Sequence, residues 1–215
     1  MAHRVCSEDF EVVPHLMKLR LPKAVLLDVL DRAAGERANV NGNDPAGTYG
    51  LEMRRWSTRY LRENGELASL GWVACSHNQV EGIRNDVLGL KVAFMNTDAA
   101  TGMTSKMPQS IADKGPISET LIKGNFERDQ GKLFDFPEAV DPIMSYEFWY
   151  LCAHVSKRQI AAELSRPVGL KNSIVNDFSM RLILWQSGDR GGIQPPTSIP
   201  EDFAEIEKPT IVRKH

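Results

Sequence analysis

Residues 71–96 read GWVACSHNQVEGIRNDVLGLKVAFMN, and the fold class turns on them. Two runs in this stretch, residues 71–77 and 88–96, are β-like. In the second, Leu90, Val92 and Phe94 alternate with Lys91, Ala93 and Met95, the two-residue period that sends successive side chains to opposite faces of a sheet. The intervening NQVEGIRNDV is short enough for a hairpin-type connection, so the two runs are predicted to pair as antiparallel strands.

Just upstream, residues 51–64 read LEMRRWSTRYLREN and have the period of an amphipathic helix. At 100° per residue Met53, Trp56, Tyr60 and Leu61 share one side, while Arg55, Arg59 and Arg62 fall within about 60° of one another on another. Guanidinium groups so placed can grip phosphates in a fixed fork geometry, although Glu52 and Glu63 stand close enough to pair with Arg55 and Arg59. Before this helix, residues 35–50 are crowded with Gly, Asn, Asp and Pro and read as a long loop. The preceding PKAVLLDVLDRAAG predicts a helix with Val25, Leu26, Val29, Leu30, Ala33 and Ala34 on a broad apolar face, entered at Pro22 and left at Gly35. In residues 10–21, Met17, Leu19 and Leu21 alternate with Lys18 and Arg20, which predicts a strand with Pro14 near its start or on an edge.

Downstream, residues 96–119 are polar and broken by Gly and Pro, an exposed excursion with a short helix near residues 118–123. The run YEFWYLCAHV is aromatic and β-like. Residues 156–167 fit either a helix capped by Ser156 or a strand, and the flanking Pro167 favours the strand. DFSMRLILWQ predicts another strand. The whole reads as one α+β domain over residues 1–186, with two N-terminal helices and a mainly antiparallel sheet, followed by an extended Gly- and Pro-rich tail over residues 187–215.

Net charge narrows the function. At −2, with a pI of about 6.2, the chain has no overall basic field, so any contact with nucleic acid must be a local patch. No apolar run is long enough to span a bilayer, and the N-terminal residues lack the apolar core of a signal peptide, so a cytoplasmic protein is expected. Three cysteines, an odd and small number, suit a reducing compartment better than a disulfide framework.

Four constellations could carry chemistry. Cys75 with His77 and Cys152 with His154 each place sulfur and imidazole on one face of a strand, and together offer a Cys₂His₂ metal set, although their spacing departs from the usual zinc knuckle and argues against zinc. Glu52, Asp86 and Asp98 are candidate catalytic carboxylates for metal-assisted phosphodiester cleavage with Mg²⁺, since Asp86 precedes and Asp98 follows a β-like run containing Lys91. Thr101, Gly102 and Lys106 form a loose candidate phosphate site without the spacing of a P-loop. Arg55, Arg59 and Arg62 are the candidate nucleic-acid contacts. GxSxG, HExxH and GxGxxG after a strand are all missing.

Several phrases taken together, LEMRRWSTRYLRE, EGIRND, GLKVAFMNTD, KGPISE, AAELSRP and RLILW, resemble proteins carried by plasmids and other mobile elements, in particular the fertility-inhibition or oncogenic-suppression group, over residues 50–186. The resemblance implies a fold like that of ParB and sulfiredoxin. It also implies DNA cleavage with ATP hydrolysis, directed against DNA passing through a conjugative transfer system. A second expectation belongs to another class: an inhibitor or adaptor that binds a protein of the secretion or transfer system and does no chemistry.

Overall fold

A computed structural model describes residues 3–77, 80–131, 146–156 and 160–185 of the chain. In order these form β1 (Arg4–Cys6), α1 (Asp9–Lys18), α2 (Lys23–Arg37), α3 (Thr48–Glu63), α4 (Gly65–Ser69), β2 (Val73–His77), β3 (Val80–Asn85), β4 (Leu90–Asn96), α5 (Pro116–Asp129), β5 (Glu147–Val155), β6 (Ile160–Lys171) and β7 (Ile174–Trp185). The strands make one seven-stranded sheet in the order β1-β7-β6-β5-β4-β3-β2. The pairs β4–β5 and β1–β7 are parallel, and the other four are antiparallel. The architecture is therefore α+β with a mixed, mainly antiparallel sheet.

Both faces of the sheet are covered. On one face Leu90, Val92 and Phe94 of β4, Trp149, Leu151 and Ala153 of β5 and Leu182 and Leu184 of β7 join the buried residues of α1, α2 and α3 in the larger core. On the other, Ala93, Met95, Phe148, Tyr150 and Cys152 pack with Leu121 and Ile122 of α5 in a smaller one. The central strands are apolar on both sides for this reason: β4 is buried at every position from Leu90 to Met95. α2 buries all six of the residues expected of its apolar face, and it runs through Gly35 to Arg37.

Four expectations are corrected. Residues 10–21 contain a helix, because Val12 and Leu16, four residues apart, are the positions that meet the core. The alternation of Met17, Leu19 and Leu21 straddles the helix end and a turn in which Arg20 takes φ 53°. Pro14 lies inside α1 and is exposed, so the carbonyl it deprives of a donor can be hydrated. Four helices, not two, precede β2. The connection between the two β-like runs is itself strand β3, which pairs antiparallel with both, so β2 and β4 are not neighbours and run in the same direction. The short helix expected near residues 118–123 is the 14-residue α5. Residues 156–167 resolve in favour of strand from Ile160 onward. The extended tail expected over residues 187–215 lies outside the described residues.

β3 and β4 keep register from Asn85↔Leu90 to Gly82↔Ala93, and among the described residues the ladder ends there. At Gly82 the strands approach so closely that a Cβ would stand 2.0 Å from the Val92 carbonyl oxygen. Only glycine fits there. Gly82→Ala is expected to destabilise the protein by about 2 kcal/mol or more, because backbone rather than a flexible side chain must yield; urea unfolding of parent and variant measures it.

Candidate functional site

The arginine-bearing helix α3 buries Met53, Ser57, Thr58, Tyr60 and Leu61 against α2 and the sheet. Its residues Arg54, Arg55, Arg59 and Arg62, with Leu51, Thr58, Glu63 and Glu81, line an open groove of about 610 Å³. Trp56 sets the position of two of them: its ring stacks on Tyr60 at 5.5 Å between centroids, and the Arg55 and Arg59 guanidinium carbons lie 5.3 and 5.1 Å from it. Arg55 also approaches Glu52 at 3.5 Å and Arg59 bonds Glu63 at 2.9 Å, both exposed one-turn pairs of the kind that water and salt loosen readily.

Arg62 behaves differently. Its side chain turns to the sheet, donating to the carbonyls of Cys75 at 2.6 Å and Gly82 at 3.2 Å and approaching Glu81 at 3.6 Å, so it staples α3 to β2 and β3. Of the three arginines predicted to contact nucleic acid, two face solvent and the third is spent on the fold. Arg54 was missed because nothing in the local sequence distinguishes it from its neighbours; it takes its significance from lining two cavities.

The three candidate carboxylates are not brought together. Glu52 accepts from Trp56 Nε1 at 2.8 Å. Asp86 accepts from the Tyr146 hydroxyl at 2.6 Å and pairs with Arg84 at 2.8 Å; first the Tyr146 bond and then the guanidinium hold its carboxyl below the usual carboxylate range. Asp98 caps its own turn through the Ala100 amide at 3.1 Å. Asp86 and Asp98 flank opposite ends of β4, which at ~3.3 Å per residue places them roughly 20 Å apart or more. Lys91, between them, is 3% exposed, and burial pushes its ammonium below the ordinary lysine range.

The cysteine and histidine pairs are likewise separated. Cys75 pairs with Gly82, Gly82 with Ala93 and Ala93 with Tyr150, so three strand spacings, roughly 14 Å, divide Cys75 from the strand that bears Cys152. Burial pushes both thiols up, away from the thiolate that a metal or an electrophile needs. Burial also pushes His154 below the ordinary histidine range, and its Nδ1 lies 3.2 Å from the Thr97 carbonyl oxygen. The His77 side chain lies outside the described residues. Among the described residues no three His, Cys, Asp or Glu side chains are grouped closely enough to share a metal ion.

The loop proposed to hold phosphate is occupied internally. The Gly102 amide donates to Glu163 Oε2 at 2.9 Å. Glu163 also accepts from Ser165 Oγ at 2.6 Å and, through both oxygens, from Arg181 Nη2 at 2.6 Å and Nε at 2.9 Å. Arg181 then reaches the carbonyls of Lys106 at 2.7 Å and Met103 at 3.0 Å. Thr101, 1% exposed, donates to the Asp98 carbonyl at 2.6 Å. The glycine amide thus already serves an anion, a carboxylate of the protein itself. Sequence could not show this, since Glu163 and Arg181 stand in strands far along the chain.

No family model matches the sequence, and no curated protein and no solved structure matches the chain. No helix among the described residues is long and apolar enough to cross a membrane.

Glu163→Gln is expected to cost about 3 kcal/mol, because it leaves the Arg181 guanidinium buried without its counter-charge. Replacing both residues by apolar side chains should not restore the parent's stability, because the Gly102 amide and the Met103 and Lys106 carbonyls then lose their partners; chemical unfolding of the single and double variants checks both outcomes.

Proposed function

We propose that this is a nucleic-acid-binding protein that grips the phosphate backbone along α3, acting on DNA in transfer by a mobile element. The observation that carries the reading is the groove lined by four arginines, of which Arg54, Arg55 and Arg59 are exposed and Arg55 and Arg59 are oriented by Trp56. Their carboxylate partners are surface pairs worth little, so a phosphate can replace them at small cost. The near-neutral chain makes such binding local and salt-sensitive. The resemblance to fertility-inhibition proteins supplies the setting: a cytoplasmic protein with a ParB- and sulfiredoxin-like fold, meeting DNA at a conjugative transfer system. DNA cleavage assisted by Mg²⁺ and ATP hydrolysis belong to that expectation; Glu52, Asp86 and Asp98, held apart, do not make one metal site for it.

A second reading, an inhibitor that docks on a protein of the transfer machinery, has its own support. Phe10, Val13 and Met17 lie at helical spacing on the outer side of α1, with Phe10 78% and Met17 72% exposed.

Fluorescence anisotropy with short single- and double-stranded DNA across a salt series tests the first reading. Arg55→Ala with Arg59→Ala should weaken binding at low salt and reduce the slope of log K against log salt by about 2, one unit per lost phosphate contact. Arg62→Ala should instead lower the melting temperature. Equal binding by the parent and the Arg55/Arg59 variant would leave those arginines merely solvated and remove the basis of the proposal.

The readings also part in a conjugation assay. Loss of transfer inhibition with Phe10→Ser and Met17→Ser, DNA affinity being unchanged, favours the protein-binding inhibitor; loss with the arginine pair alone favours DNA.

A further inference from the structure

Pairing between β3 and β4 ends at Gly82 among the described residues, and a second cavity of about 620 Å³ is lined by both strands and by the start of α5. Its wall is mixed: Val80 of β3, Ala93 and Met95 of β4, Ile117 of α5 and Tyr150 of β5 form an apolar part, and Asn96 and Ser118 add polar surface. Two cations enter it from elements far apart in sequence, Arg54 from α3 and Lys114 from the segment leading into α5. Lys114 is fixed in place at its backbone, whose amide donates to the Ser173 carbonyl at 2.8 Å.

We infer that this cavity binds a small organic anion, a phosphate or carboxylate head group on an apolar body, held at its charged end by Arg54 and Lys114 and along its length by the apolar wall. It shares Arg54 and Glu81 with the groove on α3 but neither Arg55 nor Arg59, so loss of DNA binding on changing that pair leaves the inference standing.

Three features support the assignment. Among the described residues Lys114 forms no ion pair; its Nζ donates only to the Ala112 carbonyl at 3.0 Å, a bond that leaves two protons for a ligand. Burial first, and the like charge of Arg54 against the opposing influence of Cys152 and Asp113, bring Lys114 down to about 8. A partly dehydrated cation beside a second cation is a site where a bound anion offsets both the lost hydration of the first and the repulsion between the two. The first turn of α5 lines the same cavity, with Gly115 as an N-cap that offers no side-chain acceptor, so the turn's amides add to the positive field without forming the site alone. Among the residues that line the cavity, the carboxylates are Asp113 and Glu81, and that of Glu81 already stands 3.6 Å from Arg62.

Calorimetric titration of the full chain with phenyl phosphate, benzoate and benzyl alcohol tests this. Saturable binding of at least one anion, without binding of the neutral alcohol, is expected, and whichever anion binds more tightly names the head group. Lys114→Met should weaken it at least tenfold. Affinity of the parent should fall as pH rises through about 8, where Lys114 loses its proton, while Lys114→Arg should bind without that fall. Ile117→Trp, which adds bulk to the wall and alters no charge, should also abolish binding, so the test does not hang on one variant. Failure of both anions to bind, equal binding of benzyl alcohol, or undiminished binding by the Lys114→Met and Ile117→Trp proteins would overturn the inference.

Discussion

The Glu163–Arg181 pair is the constraint around which one face of the sheet is arranged. Both side chains are almost wholly buried, and taking two charges from water costs several kcal/mol per ion unless each is fully hydrogen-bonded. Every nitrogen and oxygen of the pair has a partner. Glu163 takes donors from two Arg181 nitrogens, a hydroxyl and a backbone amide, and Arg181 also donates from Nη1 and Nη2 to two loop carbonyls. The partners on the loop are main-chain groups, and they explain how a segment without regular structure can cover a sheet: residues 102, 103 and 106 are bonded to the pair instead of to water. α5 covers the neighbouring area by ordinary packing of Leu121 and Ile122. At the start of α5, beside Tyr150, a cavity remains.

Burial on both faces also explains what could be read from the sequence. β4 was legible because Leu90, Val92 and Phe94 alternate with less apolar residues, even though the structure buries the other side as well. α2 was legible throughout, its six apolar positions all meeting the core. α1 was not, since Pro14 and the accidental alternation of Met17, Leu19 and Leu21 outweighed the Val12 and Leu16 pair that the core in fact selects. β3 escaped because VEGIRN contains a glycine, an asparagine and two charges, residues poor in strand propensity. Its place in the sheet rests on pairing on both sides and on Gly82, whose lack of a Cβ looks like weakness in a strand until the Val92 carbonyl is seen beside it.

Chemistry was less legible than fold, and the reason is tertiary. The stripe of arginines is a local property of α3, so its existence followed from helical spacing, but which members face water did not. Arg62 looked equivalent to Arg55 and Arg59 until the carbonyls of Cys75 and Gly82 claimed it. The candidate metal sets failed in the same manner: proximity in sequence at the two ends of β4 became separation by the length of that strand, and like motifs on β2 and β5 were divided by β3 and β4. The Gly102 amide had the composition of a phosphate site, yet its anion comes from β6.

One helix consequently serves three purposes through a single geometric fact. At four residues per step, Arg54, Thr58 and Arg62 form one row of α3 and Arg55 and Arg59 the next, about 100° around the axis. The first row borders the sheet: Thr58 is buried, Arg62 is bound to strand carbonyls and Arg54 lines the cavity bordered by β3, β4 and the start of α5. The second row is turned outward and aligned on Trp56. A shift of one residue in the register of α3 would exchange these roles. The core residues Met53, Tyr60 and Leu61 prevent that shift, so burial against α2 and the sheet decides which guanidinium groups hold the fold and which are left to hold anions.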